Sequence, residues 1–434
     1  MIQRTTAWRK RLAFTALTTV ALTALTACGR TDTTSTGGSL TSIDDSPATG
    51  VVTVWAPDGD ATALDDVLAP FNEDNPDVDV QVTLVPSDEY NTKLQTAIAA
   101  GTTPDIAFLY TEAQTQFIAS DAFAAVPDGV ADSSTFFPGS WAAGEIDGST
   151  YSVPWYAYTR VLIYRDDLAE AGGVSAPTTW DEWIPFLKGL EAGGAQSGFG
   201  ADVGWDTYTG QTLATFAYQA GANLLSADGT SWELDTPEVI EAAEYLAAPF
   251  LEGISAIDTP QFLDAQPYLV AGTTGSMISG PWVVATLDST ADEAGWTAEH
   301  IATAPLPAGP DSGVGQLAGG SWGVLADSEN ADAAWKTIRF MSESDTQVAQ
   351  YQAAGSMPAV AAAWDDPSIA DQPLLEAFFT QLSDVKALPA VTTWTEVSTL
   401  IGQELEAVAR GNVTAAEAMA NVQAQADAIG TGTE

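Results

Sequence analysis

The sequence predicts an α/β protein of two domains, and three observations carry that prediction. Its 434 residues exceed what one hydrophobic core usually organises. Short β-branched runs alternate with segments of helical period, the pattern of strands joined by helices in a mostly parallel sheet. The same alternation resumes in the second half of the chain. No tandem repeat is evident, which argues against a solenoid.

The elements follow in order. Val51-Val52-Thr53-Val54-Trp55 is a strand. Leu64, Val67, Leu68 and Phe71 share a helical face, and Asn75-Pro76 ends that helix. Val78, Val80, Val82 and Leu84 alternate with polar residues as a second strand. Tyr90, Leu94 and Ile98 mark a helix with Gly101 as its stop. Asp105-Ile106-Ala107-Phe108-Leu109 is a third strand, and Val161-Leu162-Ile163-Tyr164 another. Thr179 with Glu182 reads as a capping box ahead of Trp183, Phe186, Leu187 and Leu190, and Pro185 is tolerable only in the first turn there. Thr236-Pro237-Glu238 opens a helix with proline in its first position. Ala334, Trp335, Ile338 and Met341 form a further helical face. Thr414 to Glu417 caps the last helix, which carries Met419, Val422, Ala426 and Ile429 and stops at Gly430.

The N-terminus is of a different kind. Arg4, Arg9, Lys10 and Arg11 precede an apolar, threonine-rich run from Leu12 to Ala27, the layout of an export signal and too short for a spanning helix. The chain's single cysteine, Cys28, follows the small residues as in the lipobox of bacterial lipoproteins, which it resembles. Residues 1–27 are thus expected to be a signal peptide, Cys28 the lipidated residue, and residues 28–50, rich in Thr, Ser and Gly, a flexible spacer. The expected location is the outer face of the cell membrane, with the lipid as sole anchor.

Charge narrows the partners. Four of 13 basic residues and no acid precede Cys28, leaving nine basic against 58 acidic residues, a balance of −49. Such a surface repels phosphate backbones and anionic headgroups, so nucleic acid is excluded. One histidine, His300, makes a histidine metal site or a Ser/His pair improbable and reads as structural. Asp74-Asn75-Pro76-Asp77 lacks calcium-loop spacing. No cofactor or metal is expected.

Several motifs, in order, resemble the bacterial extracellular solute-binding proteins of the maltose-binding type, the sugar receptors of ABC importers. They are Val54-Trp55 with the helix to Phe71 and Asn75-Pro76-Asp77-Val78; Ala99-Ala100-Gly101-Thr102-Thr103-Pro104-Asp105-Ile106; Tyr151-Ser152-Val153-Pro154 with Ile163-Tyr164-Arg165-Asp166-Asp167-Leu168 and Pro177-Thr178-Thr179-Trp180; and Ser279-Gly280-Pro281-Trp282 with Pro305-Leu306-Pro307 and Gly319-Gly320-Ser321-Trp322. The resemblance spans about residues 50–430. It implies a two-lobed periplasmic-binding-protein-like fold of type II, with ligand held between lobes joined by hinge crossovers. Lobe one is expected at 50–156 plus 305–342, and lobe two at 157–304 plus 343–430.

A sugar site wants aromatic plates for C–H faces and carboxylates or amides for hydroxyls. Aromatics at segment ends are Trp55, Tyr110, Trp155, Tyr156, Tyr158, Trp205, Tyr208, Trp282, Trp322 and Trp394, each open to a core role instead; Trp183 and Trp335 read as core. The resemblance implies sugar stacking at Trp282 and at Trp394, in the segment that includes Glu396. It also implies a polar contact from the turn Pro57-Asp58-Gly59-Asp60 beyond Trp55, and a hydroxyl-binding carboxylate at Glu112, whose alternative is a solvated surface acid. Tyr158 stands where maltose-binding members carry glutamate, which speaks against maltose itself. In an extended segment Tyr156, Tyr158 and Arg160 share one face, so Arg160 either reaches ligand hydroxyls or pairs with an acid. Gly320, beside Gly319, would let backbone approach a ligand. Asp202 and Asp206 flank Trp205 as further polar groups.

The resemblance implies a non-enzymatic receptor, expected to be monomeric, that would deliver a neutral mono- or oligosaccharide to an ABC permease. A secreted glycoside hydrolase, or a receptor for a polyol or glycerol phosphate, remains the alternative.

Overall fold

The computed structural model describes residues 40–87, 89–200, 204–258 and 265–432, without the side chains of Asp58 and Gly59. The expected signal, Cys28 and Asp202 lie outside the described residues.

Lobe one starts with β1 (Gly50–Pro57), in which Val52, Val54 and Ala56 are fully buried. Helix Asp58–Val67 follows directly, so Pro57–Asp60 is a strand-to-helix junction rather than an open turn. β1 pairs in parallel with β2 (Val78–Val85) and with β3 (Ile106–Tyr110). Between them, helix Tyr90–Ala100 stops at Gly101, which adopts the left-handed conformation its sequence position calls for. A small hairpin, β4 (Glu145–Ile146) and β5 (Ser149–Thr150), leads to β6 (Val153–Tyr158).

Only Thr159 and Arg160 separate β6 from β7 (Val161–Arg165), the first strand of lobe two. There β7 lies between β8 (Ser276–Ser279) and β9 (Ile301–Ala304), both antiparallel to it. The chain returns to the first sheet in β10 (Gly315–Val324), antiparallel to β3 and β6, and later in β11 (Val385–Ala387), parallel to β10. Among the named strands, parallel pairing is therefore confined to β1–β3 and β10–β11. Strands that re-enter from the other lobe arrive from the opposite direction, which the strand–helix alternation in the sequence does not reveal.

Lobe two is chiefly helical. Helices Trp183–Ala192, Thr207–Gln219, Pro237–Leu251, Trp394–Ala409 and Ala415–Ile429 bury Leu187, Leu213, Leu246, Ile401 and Met419 in one core. Thr236 and Thr414 cap their helices, the latter as a complete capping box with Glu417. The box expected at Thr179 is displaced: Glu182 accepts from the backbone N–H and hydroxyl of Thr178, and a 3-10 turn, Trp180–Glu182, precedes the helix.

Two boundaries need correction. From Leu40 onward the expected spacer is docked on lobe one. Leu40 and Ile43 pack on its core, and the buried Lys336 Nζ donates to Asp44 Oδ1 and Ser46 Oγ, both at 2.9 Å. Residues 343–364, assigned to lobe two from sequence, pack with lobe one: helix Ser344–Ala354 lies against helix Asp58–Val67, Ala157 N donates to Met357 O, Phe136 pairs with Val360, and Phe137 meets the edge of Trp364. Helix Ser344–Ala354 carries no regular apolar stripe and is held by its glutamines, so hydrophobic periodicity could not place it.

Candidate functional site

Alternation along β6 creates the site. Val153, Trp155 and Ala157 turn into the core, whereas Tyr156 and Tyr158 are half-buried on the other face. Their rings stack at 6.3 Å with 13° between planes, Tyr156 stacks on Phe108 at 5.5 Å, and Tyr158 meets the edge of Trp282 at 5.4 Å and 87°. Trp282 comes from lobe two, at the start of helix Pro281–Ala291. Gly280 is required before it, because a Cβ there would lie 1.9 Å from the Trp282 ring. A continuous aromatic row thus runs from one lobe to the other. Tyr110 joins it through Phe108, at 4.9 Å.

Polar groups flank the row at both ends. Behind β6, the buried Asp60 Oδ1 accepts from Trp155 Nε1 (3.0 Å) and Gln350 Nε2 (2.8 Å). Burial raises its pKa to about 6, and the two hydrogen bonds only partly offset this. Gln347 Nε2 donates to Pro154 O (3.1 Å), and its Oε1 accepts from Ala359 and Val360 N (2.9 Å each). At the crossover, Arg160 Nη2 donates to Gln211 Oε1 (2.9 Å), and its guanidinium lies 5.8 Å from the Tyr208 ring centre. Gln316 Nε2 also reaches Gln211 Oε1, at 3.5 Å. Glu112, in the first turn of helix Thr111–Ala119, is exposed, yet the protein around it raises its pKa. Burial, followed by the Glu112 charge, pushes the Tyr158 phenol up, while Arg160 opposes the shift.

A cavity of about 1030 Å³ opens in front of the row, lined by Tyr156, Tyr158, Trp282, Tyr351, Met357 and Leu374 among others. No Lys, Arg or His is among its described lining residues, and Asp288 is their only acid. That carboxylate is already committed to the Thr297 hydroxyl and to the backbone N–H groups of Thr297 and Gly295, which hold its pKa low.

The remaining sequence-named residues lie elsewhere. Trp322 is 1% exposed and packs against Phe108 and Trp155, and Trp394, 5% exposed, packs against Trp232; both are core residues, not plates. Gly320 leaves space for the Phe108 ring, 1.9 Å from where its Cβ would be, not for a ligand. Gly319, at φ +136°, accommodates the Tyr156 carbonyl. Trp55 is half-buried on the first core, its carbonyl accepting from Tyr90 Oη. Trp205 donates from Nε1 to Ile257 O and packs on Phe250, away from the cavity lining. Asp206 caps helix Thr207–Gln219. Glu396 is exposed outside the cavity lining, and Asp58 opens its helix with its side chain outside the described atoms. His300 stacks on Trp296 as a structural residue. Tyr351 and Met357 went unnamed, and Asp60, expected in a turn with a polar ligand contact, is instead buried against Gln350, 290 positions away, which no local pattern marks.

Two lobes on separate sheets, repeated crossovers and an aromatic cavity shared between them define a solute-binding protein of the hinged, two-lobed class. The profile of the bacterial extracellular solute-binding proteins matches residues 56–348, and the chain belongs to that family. A Brucella abortus protein described only as a binding protein is 26% identical over 382 residues, covering 84% of this chain and 89% of that one. The lactose-binding protein of Rhizobium radiobacter is 25% identical, with 68% and 70% covered. Among solved structures, the sugar-binding protein MalE of Xanthomonas citri superposes with a TM-score of 0.81 at 26% identity, covering 88% of this chain and 97% of that one.

Proposed function

We propose that this chain is the receptor of an ABC importer, binding a neutral sugar between its lobes, releasing it unchanged to a permease, and held outside the cell membrane by a lipid on Cys28. The observation that carries the reading is the cavity lining: among its described residues are aromatic faces, amides and hydroxyls, no basic side chain and one acid already saturated. Aromatic plates suit the C–H faces of sugars, and the absence of a cationic partner disfavours a phosphorylated ligand. A glycoside hydrolase needs two carboxylates facing its substrate; the committed Asp288 offers neither an acid nor a base, and Glu112 would stand alone. The likeness to sugar-binding relatives supports the same reading.

Ligand contacts are proposed for Tyr156, Tyr158 and Trp282 in the lining, and beyond it for Tyr110, which meets Phe108, and Glu112, whose charge acts on Tyr158. Because Trp282 belongs to lobe two, a ligand stacked across the row contacts both lobes and favours closure. Thermal unfolding against a panel of neutral saccharides, with chromatography of the sugar afterwards, tests the proposal. A raised Tm with the sugar recovered intact is expected. No shift across the panel with folded protein, or release of reducing ends, overturns it. Cys28→Ala should free the protein from the membrane without altering sugar affinity.

A further inference from the structure

We propose that a smaller cavity beside Trp364 is a second ligand site, fitted to a small organic cation that carries an ammonium group on an apolar, ring-sized body. The site stands apart from the sugar-receptor reading and needs no sugar.

Its walls are fixed. The cavity measures about 190 Å³ and lies between the buried Trp364, Ile369 and Leu375 and the ring of Phe379. Trp364 Nε1 donates to Pro358 O at 2.9 Å, which sets the indole, and Phe379 leans on that ring at 5.5 Å and 52°. Phe137 backs both rings, at 6.1 and 5.6 Å. Asp366 caps the short helix Pro367–Ala370 by accepting from Ser368 N, so the wall carrying Ile369 is held as well. Phe379 is nevertheless 38% exposed. A ring pinned at the mouth of a pocket and left wet is preorganised surface that an occupant can cover.

Charge selects the occupant. Asp365 and Glu376 line the cavity and are exposed, and among the described residues neither carboxylate makes a hydrogen bond or ion pair. No Lys, Arg or His is among the described lining residues. The large cavity is the opposite case, since its one acid, Asp288, is already saturated. Acids are common on this chain, so two carboxylates alone would select nothing. Set beside two aromatic rings they do, because ring faces and carboxylates both attract a cation and both disfavour an anion. Ile369, Pro373 and Leu375 then receive the apolar body.

Size sets the limit. The cavity falls below the roughly 300–1,000 Å³ of pockets for drug-sized ligands. A nine-atom cation such as phenethylammonium fills roughly 170 Å³ at interior packing density, which the cavity admits.

Calorimetric titration of the sugar-free protein with phenethylammonium chloride tests the inference, with uncharged 2-phenylethanol as the isostere. Saturable binding is expected, about tenfold tighter for the ammonium than for the alcohol. Gln372, Pro373 and Leu375 line both cavities, so the discriminating residues are those that line only the smaller one. Asp365→Asn combined with Glu376→Gln, both on exposed residues, should weaken the ammonium about tenfold without lowering Tm. Phe379→Ala should weaken it comparably through the lost ring face. Tyr158→Ala, in the large cavity, should leave the affinity for the ammonium unchanged. No binding at about 10 mM probe, equal affinity for the alcohol, or unchanged affinity in the doubly substituted variant overturns the site. A loss in Tyr158→Ala overturns its location. Tighter binding of N-acetylarginine amide than of phenethylammonium overturns the small-molecule occupant in favour of a side chain from a partner protein. The sugar-receptor reading survives all of these outcomes and fails only in the saccharide panel.

Discussion

The two faces of β6 carry the same class of residue to opposite ends. On the core face, Trp155 is sealed against Trp322 and hydrogen-bonded to Asp60; on the cavity face, one residue further on, Tyr156 and Tyr158 stack with their edges open. Aromatic character is shared, so it cannot decide between stability and binding. The pleat of the strand decides, by sending alternate side chains into a dry core or toward a cavity.

Breaking the core face should have the largest effect. Trp322→Ala should cost about 3–5 kcal/mol of stability, read by urea unfolding, while any protein that still folds keeps its sugar affinity. A loss of affinity exceeding the loss of folded fraction would return Trp322 to the site.

Asp60 sharpens the comparison through pH. Its pKa in the folded protein, about 6, lies above the ordinary 3.8, so folding favours the protonated form. Stability from this group is full below pH 4 and declines as pH rises to about 6, by on the order of 3 kcal/mol in all. Asp60→Asn should abolish that decline. The variant should match the wild type near pH 4 and exceed it at pH 7 in unfolding measurements at matched ionic strength. A stability difference independent of pH would show that Asp60 is ionised throughout.

The cavity face should respond in binding instead. Tyr158→Ala should lower sugar affinity about tenfold or more, through lost apolar contact and stacking, with a small change in Tm. Lys336→Met should have a milder effect, removing the bonds to Asp44 and Ser46 and costing about 1 kcal/mol, since Asp44 remains solvated. Faster hydrogen exchange at Ile43, whose N–H donates to Asp128 O, would report the loosened segment. Glu396→Gln, exposed and outside the cavity lining, should leave affinity unchanged.

Much of lobe one was legible from sequence because its elements are local. The alternating valines of β2 and the Gly101 stop depend on neighbours a few residues away. The tryptophans show where that legibility ends. Trp282, Trp322 and Trp394 all follow turn-like residues at segment ends, yet only Trp282 reaches the cavity. The other two meet Phe108 and Trp232, more than 150 positions away in each case.

By itself the sequence determined the α/β class, the order of the early elements, the acidic surface and the family motifs, all properties of composition and short-range period. The tertiary structure alone decided which aromatics line the cavity, that residues 40–49 and 343–364 pack with lobe one, and that Asp60 is buried. The physical reason is that burial and cross-lobe contact depend on chain crossings hundreds of residues apart, and a strand's pattern is the same whichever neighbour it meets.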